Sequence, residues 1–361
     1  MDDTPNHSGK NHESCNRRTR VAFLQKTLFD YRFAFYEGLN QHVEVTVAHP
    51  GYEPNCNINQ IQDNQFAWLG LRWSRALTSL LNQNDVVVLS FDVHWIQLFF
   101  APIWRNKTAL IFWGHGVSKN GIANVAKSFL LRFSKALIVY TEQQKAACDR
   151  RFPKYSSKIT VAKNTQYVDT RGKKYASHEN RDSFLFIGRL TNRKNVDKLI
   201  AAYSEVQALV PRPLTLRIVG SGEAEPNLRR LTALFPFGSQ IEFIPDCRDP
   251  DKIFQYYNRS FAYVSTGSLG LSAVQALAHA VPVIAPTNCR HGPEFGYLED
   301  QKNSVLFDGS QEQLVQAMLN LVNSSETFTM LSRNAQRYYK DNLSINCMVD
   351  DFLQTIFSAS R

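Results

Sequence analysis

The residues best suited to chemistry stand in glycine-bearing turns of the second half of the chain, each directly after a predicted strand. In FIGRLTNRKNVDKL, Gly188 ends such a strand, and Arg189 and Lys194 precede a predicted helix. Two cations beside a helix N-terminus suit a diphosphate group, because the helix dipole and the free N–H groups add to their charge. Solvated loop charges would produce the same pattern, so this turn alone leaves both interpretations open.

Two further turns are richer in glycine and poorer in charge. Gly220 and Gly222 follow a strand in IVGSGEAEPNL, which fits either a phosphate-binding turn or a tight turn before a helix. The stretch VSTGSLGLSAVQALAHAVPVIAP predicts a strand, a turn, a helix and a second strand, with the N–H groups of the turn directed at a polar ligand. This turn consists of Gly267, Ser268, Leu269, Gly270 and Leu271. The turn and its helix contain no carboxylate, and their larger polar side chains are Gln275 and His279.

The order and spacing of these motifs resemble the second half of family 4 of the glycosyltransferases. The chain has GRL, three residues and KN, then GSG after a strand, then a GLS–x2–QA helix, PVIA and GPE. The resemblance extends over about Phe184 to Leu319 and is looser over the first half. It implies the GT-B fold, in which two Rossmann-like, doubly wound parallel-sheet domains face a central cleft. It also implies a retaining, metal-independent transfer of a sugar from a nucleotide diphosphate, with no cofactor.

The sequence departs from the family at two positions around the third turn. The family pattern has two glutamates eight positions apart there, and on this chain those positions are Gly267 and Gln275. Gln275 keeps a carbonyl acceptor but lacks the charge of a carboxylate. The resemblance therefore implies altered recognition of the sugar donor or lost activity. WGHG together with the carboxylate-free turn resembles a recurring subgroup of these enzymes, which argues against simple decay.

The same resemblance assigns expected roles to individual residues. Arg189 and Lys194 match the pair that holds the diphosphate and offsets the charge of the leaving group. His115, in IFWGHGVSKNG, matches a histidine that faces the donor sugar, although a lone histidine is more often structural. These three are the catalytic candidates. The residues expected to bind the sugar donor are Gly188, Gly220, Gly222, Gly267, Ser268, Leu269, Gly270, Leu271, Gln275 and Glu294, the last in GPEF.

The elements that must position these residues follow from the alternation of short apolar strands with helical patterns between Arg20 and about Phe307. Such alternation predicts parallel sheets covered on both faces. The alternation stops in a polar stretch near the middle, which predicts two domains. The predicted division is a disordered leader 1–18, an acceptor-side domain 19–165, a connection 166–182, a nucleotide-sugar-binding domain 183–340, and a C-terminal helix 341–361 whose return to the first domain is left open.

Side chains after two strands of the first domain are expected at the cleft. Tyr31 and Arg32 follow the first strand, and Asp92 follows VVVLSF. We expect them to contact an acceptor or a phosphate, although a helix N-cap explains Asp92 equally well. The longest apolar run, Val93–Trp104, is too short to cross a bilayer and predicts a buried helix.

Composition limits the function classes. The chain is 43% hydrophobic and 20% charged, as in globular proteins, and its six scattered cysteines show no metal-ligand spacing. The net charge of +9 is concentrated in residues 1–172, which hold 21 Lys and Arg against 13 Asp and Glu. That excess predicts an anionic partner, either a membrane surface or a phosphorylated acceptor. No nucleic-acid-binding module is recognisable, so nucleic acid is not an expected partner.

The sequence therefore predicts a cytoplasmic retaining glycosyltransferase, with peripheral attachment to the inner face of the cell membrane left open. The expected acceptor is a hydroxyl of a glycan or of a polyprenyl-diphosphate-linked glycan, as in bacterial surface-polysaccharide assembly. A non-catalytic nucleotide-sugar or glycan-binding protein and a nucleotide-sugar epimerase remain alternatives. A Rossmann dehydrogenase is disfavoured, because no GxGxxG follows the first strand.

Overall fold

The structure is a computed structural model that describes residues 17–100 and 108–360. Most of the predicted leader lies outside these residues. The strands in the described part are β1 (Arg20–Leu24), β2 (Glu44–His49), β3 (Asn59–Gln62), β4 (Gln65–Trp68), β5 (Leu71–Ser74), β6 (Val86–Ser90), β7 (Ala109–Trp113), β8 (Ala136–Val139), β9 (Ile159–Val161), β10 (Ser183–Ile187), β11 (Thr215–Val219), β12 (Ile241–Ile244), β13 (Ser260–Val264), β14 (Val283–Pro286) and β15 (Ser304–Phe307). The α-helices there are α1 (Phe33–Asn40), α2 (Leu77–Gln83), α3 (Gly121–Phe133), α4 (Glu142–Arg151), α5 (Val196–Leu209), α6 (Glu225–Thr232), α7 (Pro250–Asn258), α8 (Ser272–Ala278), α9 (Gln311–Asn323), α10 (Ser325–Asn342) and α11 (Ile345–Ser360).

The strands form two parallel sheets and one separate hairpin. The first sheet has the order β3-β2-β1-β6-β7-β8-β9, and the second has the order β12-β11-β10-β13-β14-β15. Every pairing in both sheets is parallel, whereas β4 and β5 pair antiparallel. The predicted pair of doubly wound parallel sheets is therefore confirmed.

The strand order reverses between β1 and β6 in the first sheet and between β10 and β13 in the second. In open α/β sheets, ligands bind in the crevice outside the carboxyl ends of the strands at such a reversal. The turns after β10 and β13 carry the motifs GRLTNRK and STGSLG. The strand order thus places the turns after β10 and β13 where a ligand is expected to bind.

Burial explains why the central strands are almost wholly apolar. All five residues of β13 are buried, as are four of the five in β1 and in β10. In the first domain, Val21 and Phe23 join one apolar cluster, while Ala22 and Leu24 join another on the opposite face of the sheet. Strands covered by helices on both faces lose the polar alternation of a half-exposed sheet.

The last helix returns to the first domain. Phe352 of α11 packs against Phe35, at 4.7 Å between ring centroids, and against Trp113, at 5.0 Å. The two domains are therefore joined by α11 as well as by the stretch around residues 166–182. Within the described residues, no helix is both long enough and apolar enough to cross a membrane.

The apolar run Val93–Trp104 does not form the predicted buried helix in its described part. A 3-10 helix covers Ile96–Phe100, and Phe100 is exposed. Residues 101–104 lie outside the described residues.

Candidate active site

The first two glycine turns of the second domain lie directly against each other. The Leu190 amide donates to the Ser221 carbonyl at 2.9 Å. A Cβ placed at Gly220 would lie 3.0 Å from the Gly188 carbonyl carbon, and one at Gly222 would lie 2.8 Å from that of Leu190. Glycine is therefore required in the GSG turn because two backbones approach closely there, which fits the tight-turn interpretation.

The third turn is packed just as closely against the segment that carries the cations. A Cβ at Gly267 would lie 2.7 Å from the carbonyl carbon of Lys194 and 2.8 Å from its Cα, and would overlap the Arg193 carbonyl oxygen. The Ser268 amide donates to the Arg193 carbonyl at 3.1 Å, and the Lys194 Nζ donates to the Ser268 carbonyl at 2.5 Å. The place where the family pattern has its first glutamate is thus occupied by the backbone of Arg193 and Lys194.

A histidine that the sequence analysis did not select holds the middle of this turn. His291 Nδ1 accepts from the Leu269 amide at 3.1 Å, and its Nε2 lies 2.7 Å from the Pro286 carbonyl. These partners place the ring proton on Nε2. Burial and the charge of Lys194 lower the pKa of His291, against the opposing effect of the bond to Pro286. The ring also stacks on Phe295, with 4.1 Å between centroids.

Three of the five amides in the turn, those of Gly267, Gly270 and Leu271, form no hydrogen bond within the described part of the chain, and the last two lie at the start of α8. The amides of Ser268 and Leu269 are bonded within the protein, so the expectation that all five face a ligand is wrong for these two. The amides of Gly270 and Leu271 stand immediately before α8, where helical N–H groups point outward.

Three cationic side chains, Arg189, Arg193 and Lys194, lie close to the third turn. Arg189 and Arg193 are exposed, and neither forms an ion pair within the part of the chain that the structure describes. Burial lowers the pKa of Lys194, and Arg193 and Arg189 lower it further, while Glu294 opposes them. Three neighbouring positive charges beside the free amides of this turn form a site for a strongly anionic group.

Glu294 is the buried acid of this region. It is 4% exposed, and its Oε1 accepts from Asn164 Nδ2 at 2.5 Å. Burial raises the pKa of Glu294, whereas the bond from Asn164 and the charges of Arg32 and Lys194 lower it in part. A Cβ at Gly292 would overlap the carboxylate and would therefore displace it.

Arg32 is not placed to bind an acceptor or a phosphate, contrary to the expectation from the sequence. Its side chain is buried, with the guanidinium carbon 4.5 Å from the ring centroid of Trp113. Its Nη2 donates to Asn164 Oδ1 at 2.5 Å. Arg32, Asn164 and Glu294 therefore form one chain of hydrogen bonds from the first domain to the second.

His115 follows β7 and is exposed, on the side of the first domain that faces Arg290 of the second. Its Nδ1 accepts from Gln144 Nε2 at 3.0 Å, so the neutral ring carries its proton on Nε2. Partial burial lowers the pKa of His115, and the charges of Lys127 and Arg290 lower it further. A neutral imidazole with a free Nε2–H is suited to donate a hydrogen bond.

Buried Lys127 supports the His115 loop. Its Nζ donates to the carbonyls of His115 and Gly116, each at 2.9 Å. Burial lowers the pKa of Lys127. Neither Lys127 nor Gln144 was predicted to be functional, because nothing in the sequence pattern marks either residue as a partner of the His115 loop.

The remaining candidates on the first domain are engaged with neighbours. Asp92 binds Lys26, with 2.5 Å between Nζ and Oδ2, and His94, with 2.5 Å between Nδ1 and Oδ1. Burial would raise the pKa of Asp92, but these two bonds outweigh it and lower the pKa to about 2. Asp92 also accepts a hydrogen bond from the His94 amide and so closes a turn. It does not cap a helix, which was the other interpretation of this residue. Tyr31 stacks on Phe29 at 5.6 Å.

Gln275 lies on α8, which follows the third turn, and His279 comes directly after the last residue of that helix. Gln275 Oε1 is 3.5 Å from the hydroxyl of buried Tyr257, at the limit of a hydrogen bond. His279 is buried between Phe254 and Tyr257, and burial, together with Lys173, lowers its pKa to about 4. His279 is thus a packed, neutral side chain.

Known proteins are similar to this chain in sequence and in fold. Residues 169–338 match the family model for glycosyl transferases group 1. An uncharacterised glycosyltransferase of Haemophilus influenzae is 26% identical over 220 residues, which are 60% of this chain and 59% of that protein. The alpha-monoglucosyldiacylglycerol synthase of Acholeplasma laidlawii is 25% identical over 156 residues, which are 42% of this chain and 37% of that protein. The chain thus spans less than two thirds of either relative.

A solved structure matches the whole architecture. That of Anabaena HepE in complex with UDP has a TM-score of 0.72 to this chain at 13% identity, covering 94% of this chain and 100% of that one. The fold is therefore GT-B, as the sequence resemblance implied.

Proposed function

We propose that this chain, whose residues 169–338 match the family model for glycosyl transferases group 1, transfers a sugar from a nucleoside diphosphate to a hydroxyl group. The observation that carries the proposal is the cluster of Arg189, Arg193 and Lys194 beside the free amides of Gly270 and Leu271. This cluster stands at the strand-order reversal of the second sheet, where a nucleotide binds in related α/β folds.

In the proposed reaction, the bond between the anomeric carbon and the diphosphate oxygen breaks as the acceptor oxygen attacks. The diphosphate leaves with the electron pair of that bond, and Arg189 and Lys194 stabilise the charge that develops on it. The acceptor proton passes to the departing phosphate oxygen, so no residue of the chain has to accept it. Attack on the face that the diphosphate vacates gives retention of configuration, and this course is proposed from the family alone.

His115 is proposed to orient the donor sugar from the first domain. The Gln144 bond holds Nδ1 as an acceptor and leaves Nε2–H free. The lowered pKa of His115 keeps the ring neutral at neutral pH, so it adds no charge to a site that is already cationic.

Glu294 is proposed to supply the negative charge that positions 267 and 275 lack. It acts on the pKa of Lys194, and the bond from Asn164 fixes its carboxylate. We propose that it positions Lys194 for the diphosphate, without touching the sugar itself.

The test is transfer by the purified protein from uridine, thymidine and guanosine diphosphate sugars to a panel of glycan acceptors, with the anomeric configuration of the product read by NMR. An Arg189→Ala plus Lys194→Ala variant should lose at least about 100-fold in kcat/KM. The matched control is Arg230→Ala plus Lys340→Ala, which removes two exposed cations outside the site. Equal activity of both variants would refute the roles of Arg189 and Lys194, and inversion would refute the retaining course.

The alternative is a nucleotide-sugar-binding protein without turnover. The observation that favours it is the blocked position 267, which leaves no room for the first family glutamate. Calorimetric binding of a nucleotide sugar, with no transfer to any acceptor and no hydrolysis, would support this alternative against the enzyme.

The acceptor is proposed to be a glycan carried on a lipid, such as a polyprenyl diphosphate, at the inner face of a bacterial membrane. The positive charge of residues 1–172 supports this proposal, as does the name of the Acholeplasma relative, which denotes a glycolipid synthase. Transfer to a lipid-linked acceptor that exceeds transfer to the same glycan without its lipid would test it.

A further inference from the structure

The β4–β5 hairpin presents an apolar face to solvent. Phe66 lies opposite Trp73 and Trp68 lies opposite Leu71, and all four side chains are exposed. Cross-strand partners share a face of the ribbon, and residues two apart on a strand share it too. An open face of an antiparallel pair in water is normally polar. This hairpin reverses that rule.

The tip of the hairpin adds a second unusual feature. Leu69 and Gly70 form the two-residue turn, with φ values of +46° and +80°. Turns with two positive φ angles favour Asn, Asp or Gly, and a leucine there is strained. Leu69 is also 81% exposed, so the protein gains no burial that would offset the strain.

The neighbouring helix α3 also exposes apolar side chains. Its apolar residues Ile122, Val125 and Phe129 are exposed, at spacings of three and four that place them on one side of the helix. Its buried residues are Asn124, Lys127, Leu130 and Leu131, so polar side chains take half of its buried positions. Helices on globular proteins normally bury the apolar stripe and expose the polar one.

The hairpin and the helix are joined by the segment Ile96–Phe100. Gln97 exchanges two hydrogen bonds of 2.6 Å with the backbone of Ser74 in β5. Phe99 stacks with Phe129 of α3, at 6.3 Å between centroids. We call the exposed residues of β4, β5, their turn and α3 the hairpin–α3 surface.

Positive charge surrounds this surface. Residues 64–84 and 93–141 contain no Asp or Glu. Its exposed cations have no ion-pair partner among residues 17–100 and 108–360. These cations are Arg75, Lys119, Arg132 and Lys135.

We propose that the hairpin–α3 surface docks on an anionic lipid bilayer, with Trp68 and Leu69 inserted at the level of the headgroups and the first acyl carbons. Two attractions hold a protein on such a bilayer: apolar side chains insert among the lipids, and cationic side chains are attracted to the anionic headgroups. The hairpin–α3 surface offers both. A second copy of the chain is a poorer occupant, because it would bring the same cations face to face.

Helix α3 also borders the proposed cleft, since its buried Lys127 binds the His115 loop. Membrane docking would bring the chain to the proposed lipid-linked acceptor, so its biological purpose rests on the proposed function. Vesicle binding and sugar transfer are nevertheless separate measurements. A protein that transfers sugar to a soluble acceptor but ignores vesicles would refute the surface alone.

The test is co-sedimentation with vesicles of phosphatidylglycerol and phosphatidylcholine in equal parts, and with vesicles of phosphatidylcholine alone. We expect at least about tenfold stronger partition onto the anionic vesicles, since each cation near such a surface contributes about 1 kcal/mol, or about fivefold. Trp68→Ser plus Leu69→Ser should reduce partition at least about tenfold. Leu234→Ser is the matched control, because Leu234 is 80% exposed on the second domain and should not matter.

Two further measurements identify what the surface contacts. Quenching of tryptophan emission by brominated lipid should fall in Trp68→Phe plus Trp73→Phe, while the partition of that variant persists. Thermal unfolding of every variant should match the parent, which excludes misfolding. The proposal is overturned if the parent does not bind anionic vesicles, if the Trp68 and Leu69 substitutions leave binding unchanged, or if they instead dissociate a dimer.

Discussion

The backbone packing at Gly267 makes a sharp prediction for the substitution Gly267→Ala. The new Cβ would lie 2.7 Å and 2.8 Å from backbone carbons of Lys194, and closer still to the Arg193 carbonyl oxygen. Carbon atoms in contact are normally about 3.5–4.0 Å apart, so the Arg193–Lys194 segment must retreat by about 1 Å. The retreat strains two bonds that join the turns, from the Ser268 amide to Arg193 and from Lys194 to the Ser268 carbonyl.

The expected loss of stability follows from these contacts. Overpacking costs about 1–3 kcal/mol, and a lost hydrogen bond adds about 1 kcal/mol. The sum, about 2–4 kcal/mol in the free energy of unfolding, lowers Tm by about 4–16 °C for a domain of this size. Gly267→Glu, which restores the residue of the family pattern, should be at least as damaging and should restore no function.

The assay is thermal unfolding, with and without uridine diphosphate, and the matched control is Gly270→Ala in the same turn. A Cβ at Gly270 meets nothing within 4 Å, so the free protein should change by less than about 0.5 kcal/mol. We also expect Gly267→Ala to weaken diphosphate binding, because Lys194 moves with its segment. If Gly267→Ala and Gly270→Ala unfold at the same temperature, the close approach is absent in solution and this account of the missing glutamate fails.

Three further substitutions test the charges around the site. Glu294→Gln keeps the shape of the side chain but removes its charge, so kcat/KM should fall about tenfold. In the parent, kcat/KM should decline at acid pH as the Glu294 carboxyl, whose pKa is raised, becomes protonated, and the variant should lack this decline. An unchanged pH profile of kcat/KM would contradict the role of Glu294. His279→Phe should abolish part of the acid sensitivity of folding. The unfolded chain protonates His279 below about pH 6.5, whereas the native state resists until about pH 4, so the parent should lose about 2 kcal/mol between pH 7.5 and pH 5. Urea unfolding measures this loss, and exposed His42→Phe should retain it. Lys127→Met should raise the pKa of His115 in an NMR titration, because the charge of Lys127 lowers it; no change would show that the contact is absent.

The architecture could be predicted because the spacing of apolar residues along a short segment is enough to identify a strand or a helix. Alternating strands and helices fix parallel sheets, and the ends of β10 and β13 mark where ligands bind. The turns could be identified in the same way, since Gly188 directly follows β10 and Gly267 stands three residues after the end of β13.

The contacts between turns could not be predicted, because each joins segments far apart in the chain. His291 binds the Leu269 amide across 22 residues, and Asn164 joins Glu294 across 130. Local patterns carry no information on such approaches. The exposure of Ile122, Val125 and Phe129 could not be predicted either, because nothing in their spacing tells which side of α3 faces the protein.

The missing glutamate and the close approach of the cationic segment are parts of one arrangement. A side chain at position 267 would hold Arg193 and Lys194 away, whereas glycine lets Lys194 reach the Ser268 carbonyl. The acid that then acts on Lys194 is Glu294, which Asn164 connects to the first domain. Glu294 belongs to the second domain, as position 267 does, but the hydrogen bond from Asn164 joins its carboxylate to the first domain as well.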